Sequence, residues 1–341
     1  MSADHQTTPA PDATTVPSTP PASRLGSGRL LSALQGRWRS AGIVIPFLIL
    51  FITLTIASSS FLTKANLLNI LDQQAATLII AAAGTMVLVS GGIDLSIGAV
   101  YGLAAVVCGE LVLHGWPSAL AIVAGVLSGV VVGGVNGIVT SFFRINSLIA
   151  TLAMSFVVAG IASLITQGNL LVLGVKPAFG DFANTSFLTV HTSTWAMVVV
   201  VIVLGLLLAR TTLGRYTYAA GGNPEAARFA GVRVNLVRIV CFALSGGAAA
   251  LGGIIDASRV LTGDSTNNTT LTFTVIAGIV VGGTSILGGE GAIWRTVVGV
   301  LLIALIGNGY DLLGLNPLYE QITLGVIMIL AVGLDAWSRK R

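Results

Sequence analysis

Ten apolar segments, most of them close to the length that crosses a bilayer, restrict this chain to a membrane-embedded fold. They lie at roughly 42–60, 74–90, 95–114, 117–142, 147–167, 194–210, 236–256, 270–288, 293–312 and 317–335. Only 9% of the residues are charged, against about 25% in soluble domains. In lipid every backbone polar group needs an internal partner, so the sequence predicts an all-α, polytopic inner-membrane bundle of about ten transmembrane helices.

Two of these segments, 74–90 and 194–210, are short for a full span, and two glycine pairs interrupt other apolar runs. The pairs are Gly91-Gly92 and Gly282-Gly283. Short or broken helices are therefore expected within the bundle, and the count of ten is approximate.

The first 40 residues are rich in Pro, Thr, Ser and Ala and contain scattered Arg. Such a composition buries no core, so residues 1–40 are predicted to be a disordered N-terminal tail. Residues 41–338 form the predicted transmembrane domain. The first apolar run has no convincing small-residue cleavage site, so a signal peptide is not expected.

Positive charges predict the orientation of the spans. With the N-terminus inside, 14 of the 17 Lys and Arg residues fall on the inner side, and only Lys64, Lys176 and Arg259 fall outside. This asymmetry follows the positive-inside rule and predicts that both termini are cytoplasmic.

A short polar helix stands between two long apolar spans, within the cytoplasmic segment 211–235. Asn223 suits the N-cap position, Pro224 the first helical position, Glu225 the positive end of the helix dipole, and Gly231 the C′ position. A capped helix outside the membrane is typical of a contact with a soluble partner. The candidate contact residues are Gly222, Asn223, Pro224, Glu225, Ala226, Arg228, Phe229 and Gly231.

The glycine-rich stretch 89–98 contains Asp94 and Ser96 and separates two spans. Asp94 either caps a helix that begins at Leu95, near the inner surface, or lines a transport path; the cap is the favoured interpretation. The stretch 281–291 resembles it loosely, which suggests an internal duplication, although chance similarity in glycine-rich sequence competes with that interpretation.

Polar residues within spans must face protein or a cavity, which supplies candidates for a substrate path. They are Asp94, Asn136, Thr284, Ser285 and Asn308. Hydrogen bonding between helices explains each of them at least as well.

Several function classes are disfavoured. The chain has no P-loop, no His-Glu-x-x-His and no basic aromatic surface for nucleic acid. The two cysteines, Cys108 and Cys241, lie within apolar spans and suggest neither a disulfide nor a metal site. An enzyme is therefore not expected, and no metal or cofactor site is predicted in this chain.

Three stretches together resemble the permease subunits of monosaccharide ABC importers, in the branch for ribose, xylose, galactose and similar sugars. They are 90–98, 282–291 and, most specifically, 213–232, and the likeness covers roughly 42–338. The resemblance implies a homodimeric permease in the cytoplasmic membrane of a bacterium. It also implies a cytoplasmic ATPase subunit that binds ATP, an extracytoplasmic sugar-binding protein, and a coupling role for the helix at 223–231.

The sequence departs from this branch where an acidic pair within a Glu-Leu-Asp-like stretch is usual. Thr272-Phe273-Thr274 takes its place, after an unusually polar outer loop at 263–268. The solute is therefore left open among pentoses, hexoses, polyols and related metabolites.

Two alternatives to the importer remain. A self-contained, ion-coupled secondary transporter needs coupling carboxylates, and the candidates Glu110, Asp256 and Asp311 all fall near predicted outer ends. A non-transport membrane component would show no solute flux with any partner.

Overall fold

The computed structural model describes residues 42–338, apart from 175, 267 and 317, and describes no side chains at 331, 332 and 334–338. The predicted tail at 1–40 lies outside the described residues. The helices are α1 Val44–Ala57, α2 Lys64–Gln73, α3 Ala75–Val89, α4 Ile97–Leu113, α5 Ser118–Phe142, α6 Ser147–Thr166, α7 Pro177–Asn184, α8 Thr192–Arg210, α9 Thr212–Gly222, α10 Pro224–Phe229, α11 Val234–Val260, α12 Thr269–Val281, α13 Ile293–Leu312 and α14 Leu318–Ser338.

The all-α prediction is confirmed, and one helix accounts for most of each of the ten predicted apolar segments. Within the described residues, five helices are long and apolar enough to cross a membrane: α5, α6, α8, α11 and α13. The bent pair α2–α3, with an angle of 48°, adds a sixth crossing if it forms one span. Helices α1, α4, α12 and the apolar part of α14 are shorter. How many of them cross the bilayer completely stays a prediction.

The connections contain structure that the sequence did not reveal. Helix α2 precedes the predicted span at 74–90, and α7 lies within the predicted outer connection at 168–193. In the part of the chain that the structure describes, four two-residue strands pair antiparallel: β1 Leu171–Val172 with β4 Thr262–Gly263, and β2 Ser186–Phe187 with β3 Val190–His191. These strands tie loops together and form no core sheet.

Glycines set the packing of α5 against α11 at the centre of the bundle. A Cβ on Gly129 would overlap the carbonyl oxygen of Gly246, and one on Gly246 would overlap that of Gly129. Four residues further along α5, a Cβ on Gly133 would overlap the Phe242 carbonyl oxygen. Such contact lets the two backbones approach closely, which is how helices associate in lipid.

The two predicted glycine breaks are real and end their helices in the same way. Gly91 and Gly283 have φ of +82° and +80°, a region that favours glycine. The amide of Gly92 donates to Val87 O at 3.0 Å, and that of Thr284 to Ile279 O at 3.2 Å. Both are Schellman-type ends. An internal duplication behind this similarity stays a prediction.

Candidate functional site

Helix α10 has the caps that its sequence predicts. The side chain of Asn223 accepts a hydrogen bond from the Ala226 amide at 3.0 Å, and Pro224 occupies the first turn. At the other end Gly231 has φ +84°, and the Val232 amide donates to Ala227 O at 2.9 Å. Local sequence therefore determines this helix at both ends.

One face of α10 packs on the bundle and the other is uncovered. Ala227 is buried, while Ala226, Phe229 and Ala230 are exposed. Phe229 is 93% exposed, more than any other large apolar side chain among the described residues. Because the free energy falls when an aromatic ring moves out of water, this surface is suited to contact with a partner.

Three glycine-containing turns meet beside α10. A Cβ on Gly221, in the last turn of α9, would overlap the carbonyl oxygen of Val89 at the end of α3. That same oxygen accepts the Gly289 amide at 2.9 Å. The turn containing Gly289 also carries Gly291, whose carbonyl accepts the Tyr218 hydroxyl at 2.7 Å. Burial raises the pKa of Tyr218, so its hydroxyl stays protonated and donates.

These contacts join α9 to the end of α3 and to the turn that follows α12, through backbone atoms at Gly221 and Gly289 and through the Tyr218 side chain. The sequence suggested each motif separately and gave no sign that they touch.

A cavity of about 770 Å³ opens next to α10, and three guanidinium groups line it. They come from Arg144 in the α5–α6 connection, Arg228 in α10 and Arg238 in α11. Among the described residues none of the three forms an ion pair with a carboxylate, although Glu225 lines the same cavity. This end of the bundle thus presents unneutralised positive charge beside the exposed Phe229.

The favoured interpretation of Asp94 as the cap of a helix that begins at Leu95 is wrong. Helix α4 begins at Ile97, and Asp94 instead accepts the Ser96 amide at 3.0 Å and the Ser96 hydroxyl at 2.6 Å. Its other oxygen accepts the Ser245 hydroxyl at 2.9 Å. Ser245 lies about 17 Å along α11 from Val234, at 1.5 Å per residue.

The segment 93–96 is therefore non-helical backbone that packs within the bundle. Its amides are satisfied from α6: Ile93 donates to the Ser147 hydroxyl at 3.0 Å, and Leu95 donates to the Thr151 hydroxyl at 2.9 Å. Irregular backbone at membrane depth is tolerated where protein supplies such partners.

The predicted path residues lie in three separate places. Asp94 and Asn136 share one buried network, because Asn136 donates to Ser96 Oγ at 2.8 Å. Thr284 and Ser285 lie in the turn after α12, beyond the helix that was predicted to continue to 288. Asn308 exchanges two side-chain hydrogen bonds with Asn66, at 2.9 and 3.1 Å. Their role in a path stays a prediction.

At the opposite end of the bundle, a polar network surrounds Asp72, a residue that sequence reasoning missed. The Asp72 carboxylate lies 3.2 Å from Arg259 Nη2 and 3.1 Å from His191 Nδ1, and it accepts a hydrogen bond from the Ser193 hydroxyl. Arg259 also contacts Asp256, which accepts the Tyr101 hydroxyl at 2.7 Å. The network joins α2, α8 and α11.

Comparison with known proteins identifies the family to which the chain belongs. Residues 66–332 match the family described as the permease component of the branched-chain amino acid transport system. The chain belongs to this permease family. Since the match covers most of the described residues, the chain is a multi-pass inner-membrane permease of the ABC transporter type.

Three relatives illustrate the range of this family. The chain is 37% identical over 297 residues to the L-arabinose ABC transporter permease protein AraH of Azospirillum brasilense, covering 86% of this chain and 84% of that protein. It is 38% identical to the ribose import permease protein RbsC of Bacillus subtilis (78% and 83%). It is 32% identical to the autoinducer 2 import system permease protein LsrC of Salmonella typhi (76% and 75%).

Proposed function

We propose that this permease imports a monosaccharide or a similar small polyhydroxylated solute, driven by a cytoplasmic ATPase subunit that docks on α10. The support for the solute class comes from relatives named for L-arabinose, ribose and autoinducer 2. The observation that carries the docking site is the capped helix α10 with its exposed Phe229.

Charge and shape at this end support the choice of partner. A groove on the ATPase would cover Ala226, Phe229 and Ala230, and an acidic group beside that groove would meet Arg144, Arg228 and Arg238. ATP-dependent movement of the docked helix would then reach α3 and α12 through the contacts of Gly221 and Gly289.

The remaining parts of the assembly follow from the same proposal. A second copy of the chain completes a homodimer, and an extracytoplasmic binding protein delivers the solute to the opposite end. Both termini and α10 lie in the cytoplasm. The ATPase supplies the differential affinity that shifts the dimer between outward-open and inward-open states.

The test is capture of the ATPase by the detergent-solubilised chain from its own cells, with wild type, Phe229→Asp and Phe229→Leu compared side by side. We expect wild type and Phe229→Leu to retain the ATPase and Phe229→Asp to lose it, because a carboxylate cannot enter an apolar groove without a large desolvation cost.

Since the Phe229 side chain is almost fully exposed, all three proteins should unfold at the same temperature. Retention of the ATPase by Phe229→Asp would remove α10 from the docking role. Absence of any ATPase from the wild-type capture, with solute uptake that collapses with the ion gradient, would favour a secondary transporter.

A further inference from the structure

Packing contacts with α4 set the depth of the polar residues 264–266 and 268–270, of which the sequence placed 264–266 and 268 in an outer loop. Helix α11 provides the scale. Arg238 and Arg259 lie near its two ends, about 31 Å apart at 1.5 Å per residue, which is close to the thickness of the hydrocarbon core. The middle of the bilayer then falls near Ala248.

Helix α4 contacts both α11 and the polar stretch, so its residues relate the depth of the one to the depth of the other. A Cβ on Gly253 of α11 would overlap the carbonyl oxygen of Tyr101, so these two residues lie at one level. Gly98 is about 4.5 Å closer to the middle. A Cβ on Gly98 would overlap the carbonyl oxygen of Asn268, and the Gly98 amide donates to Thr272 Oγ1 at 3.0 Å.

Asn268 therefore lies within about 4 Å of the bilayer middle, and Thr270, in the first turn of α12, lies at the middle itself. Between β4 and α12 the chain descends along α4: a Cβ on Gly102 would lie 2.8 Å from Asp264 O and 3.1 Å from Thr266 O. Helix α12 then runs only from mid-membrane toward α10.

These mid-membrane polar side chains are exposed. Asn268 and Thr270 are exposed, Thr274 one turn further is half-buried, and between them the ring of Phe273 is 47% exposed. Asn268 uses its side-chain oxygen to cap α12 at the Leu271 amide (2.9 Å). Its amide donors have no partner among the described residues.

Exposed amide and hydroxyl groups at the middle of a bilayer are costly against lipid, so they face water or protein. The same surface combines hydrogen-bonding groups with an aromatic ring, and a sugar likewise combines hydroxyls with an apolar ring face. An aromatic face offers area for the latter without demanding hydrogen bonds.

We propose that Asn268, Thr270, Phe273 and Thr274 line the solute path and contact the polyhydroxylated solute at mid-membrane. This assignment rests on the proposed import function and replaces the buried candidates Asp94 and Asn136 as the contact surface. The polar groups donate and accept hydrogen bonds with hydroxyls, and Phe273 packs against the apolar face of the solute.

The test compares two cysteine variants at one depth, Thr270→Cys and Leu127→Cys, in the full-length chain reconstituted in liposomes. The contact of Gly129 with Gly246 places Leu127 level with Ala248, and Leu127, in α5, is 54% exposed. The native cysteines, Cys108 and Cys241, are buried and contribute no background.

A charged methanethiosulfonate reagent reacts with thiolate, which forms in water and not in lipid. We expect Thr270→Cys to react at least about tenfold faster than Leu127→Cys. Thr274→Cys should react as well, which guards against a local effect of one substitution. With the ATPase bound, trapping its nucleotide should change the Thr270→Cys rate at least about tenfold, because access to the path alternates.

Equal, slow reaction of Thr270→Cys and Leu127→Cys would overturn the proposal. So would a disulfide between two copies at position 270 that excludes the reagent, because the surface would then be a closed dimer contact. A fast rate that nucleotide does not alter would mark a static cavity and overturn it too. Labelling of the permease alone needs no ATPase. It therefore tests the path residues independently of the proposal that the ATPase docks on α10.

Discussion

The ion pair between Asp72 and Arg259 should be the largest single electrostatic contribution to stability at the end of the bundle opposite α10. The perturbation is Asp72→Asn. It removes the charge that faces Arg259 at 3.2 Å and His191 at 3.1 Å, and it places amide hydrogens or a neutral oxygen there instead.

The expected loss of stability in Asp72→Asn follows from the burial of the ion pair. Exposed ion pairs contribute about 0.2–1 kcal/mol, and breaking a fully buried one costs about 3–5 kcal/mol. The two side chains are 10% and 23% exposed, close to the buried case. We therefore expect a loss of about 2–3 kcal/mol, which lowers the unfolding midpoint by roughly 4–12 °C at 2–4 °C per kcal/mol.

The burial of the two native cysteines allows unfolding to be measured by thiol labelling. Cys108 and Cys241 are both completely buried, so a thiol-reactive fluorogenic maleimide reports unfolding of the wild-type chain and its variants in detergent. Asp181→Asn is the matched control, because Asp181 is an exposed carboxylate at the same end of the bundle. Its midpoint should stay within about 1–2 °C of wild type.

A double-mutant cycle with Arg259→Gln isolates the pair. The double variant should lose about 1–2 kcal/mol less unfolding free energy than the two single variants lose together. The reason is that the second substitution removes a charge that has already lost its partner. An unchanged midpoint for Asp72→Asn, or strictly additive losses in the cycle, would refute the reasoning.

Three further outcomes are expected. Gly221→Val should abolish membrane expression of folded protein, because its side chain would overlap backbone, whereas Gly205→Val, with open space around it, should fold normally; comparable yields of folded protein by size-exclusion chromatography would contradict this. Asp94→Asn should lower the unfolding midpoint by only a few degrees, because Asn still accepts the Ser96 amide, so a large loss of uptake at normal stability would show a direct role in transport. Phe229→Cys should react with an impermeant maleimide only from the cytoplasm and Leu188→Cys only from outside, and labelling of both from one side would contradict the proposed orientation.

The sequence by itself determined the features that depend on neighbours along the chain. The caps of α10 follow from Asn223, Pro224 and Gly231, because capping involves residues within one turn. The glycine breaks after α3 and α12 follow from the need for positive φ at Gly91 and Gly283. The helical class follows from segments too apolar and too long for a soluble core.

Only the tertiary structure decided how deep each polar residue lies and which distant residues satisfy it. A hydropathy pattern places Asp94 at an inner boundary and Asn268 in an outer loop, because it assigns every polar residue to a membrane surface. In the structure the Asp94 carboxylate accepts the Ser245 hydroxyl from α11, and the Asn268 carbonyl lies against Gly98 of α4. Polar atoms within the bundle contact distant parts of the chain, and no local pattern encodes those contacts.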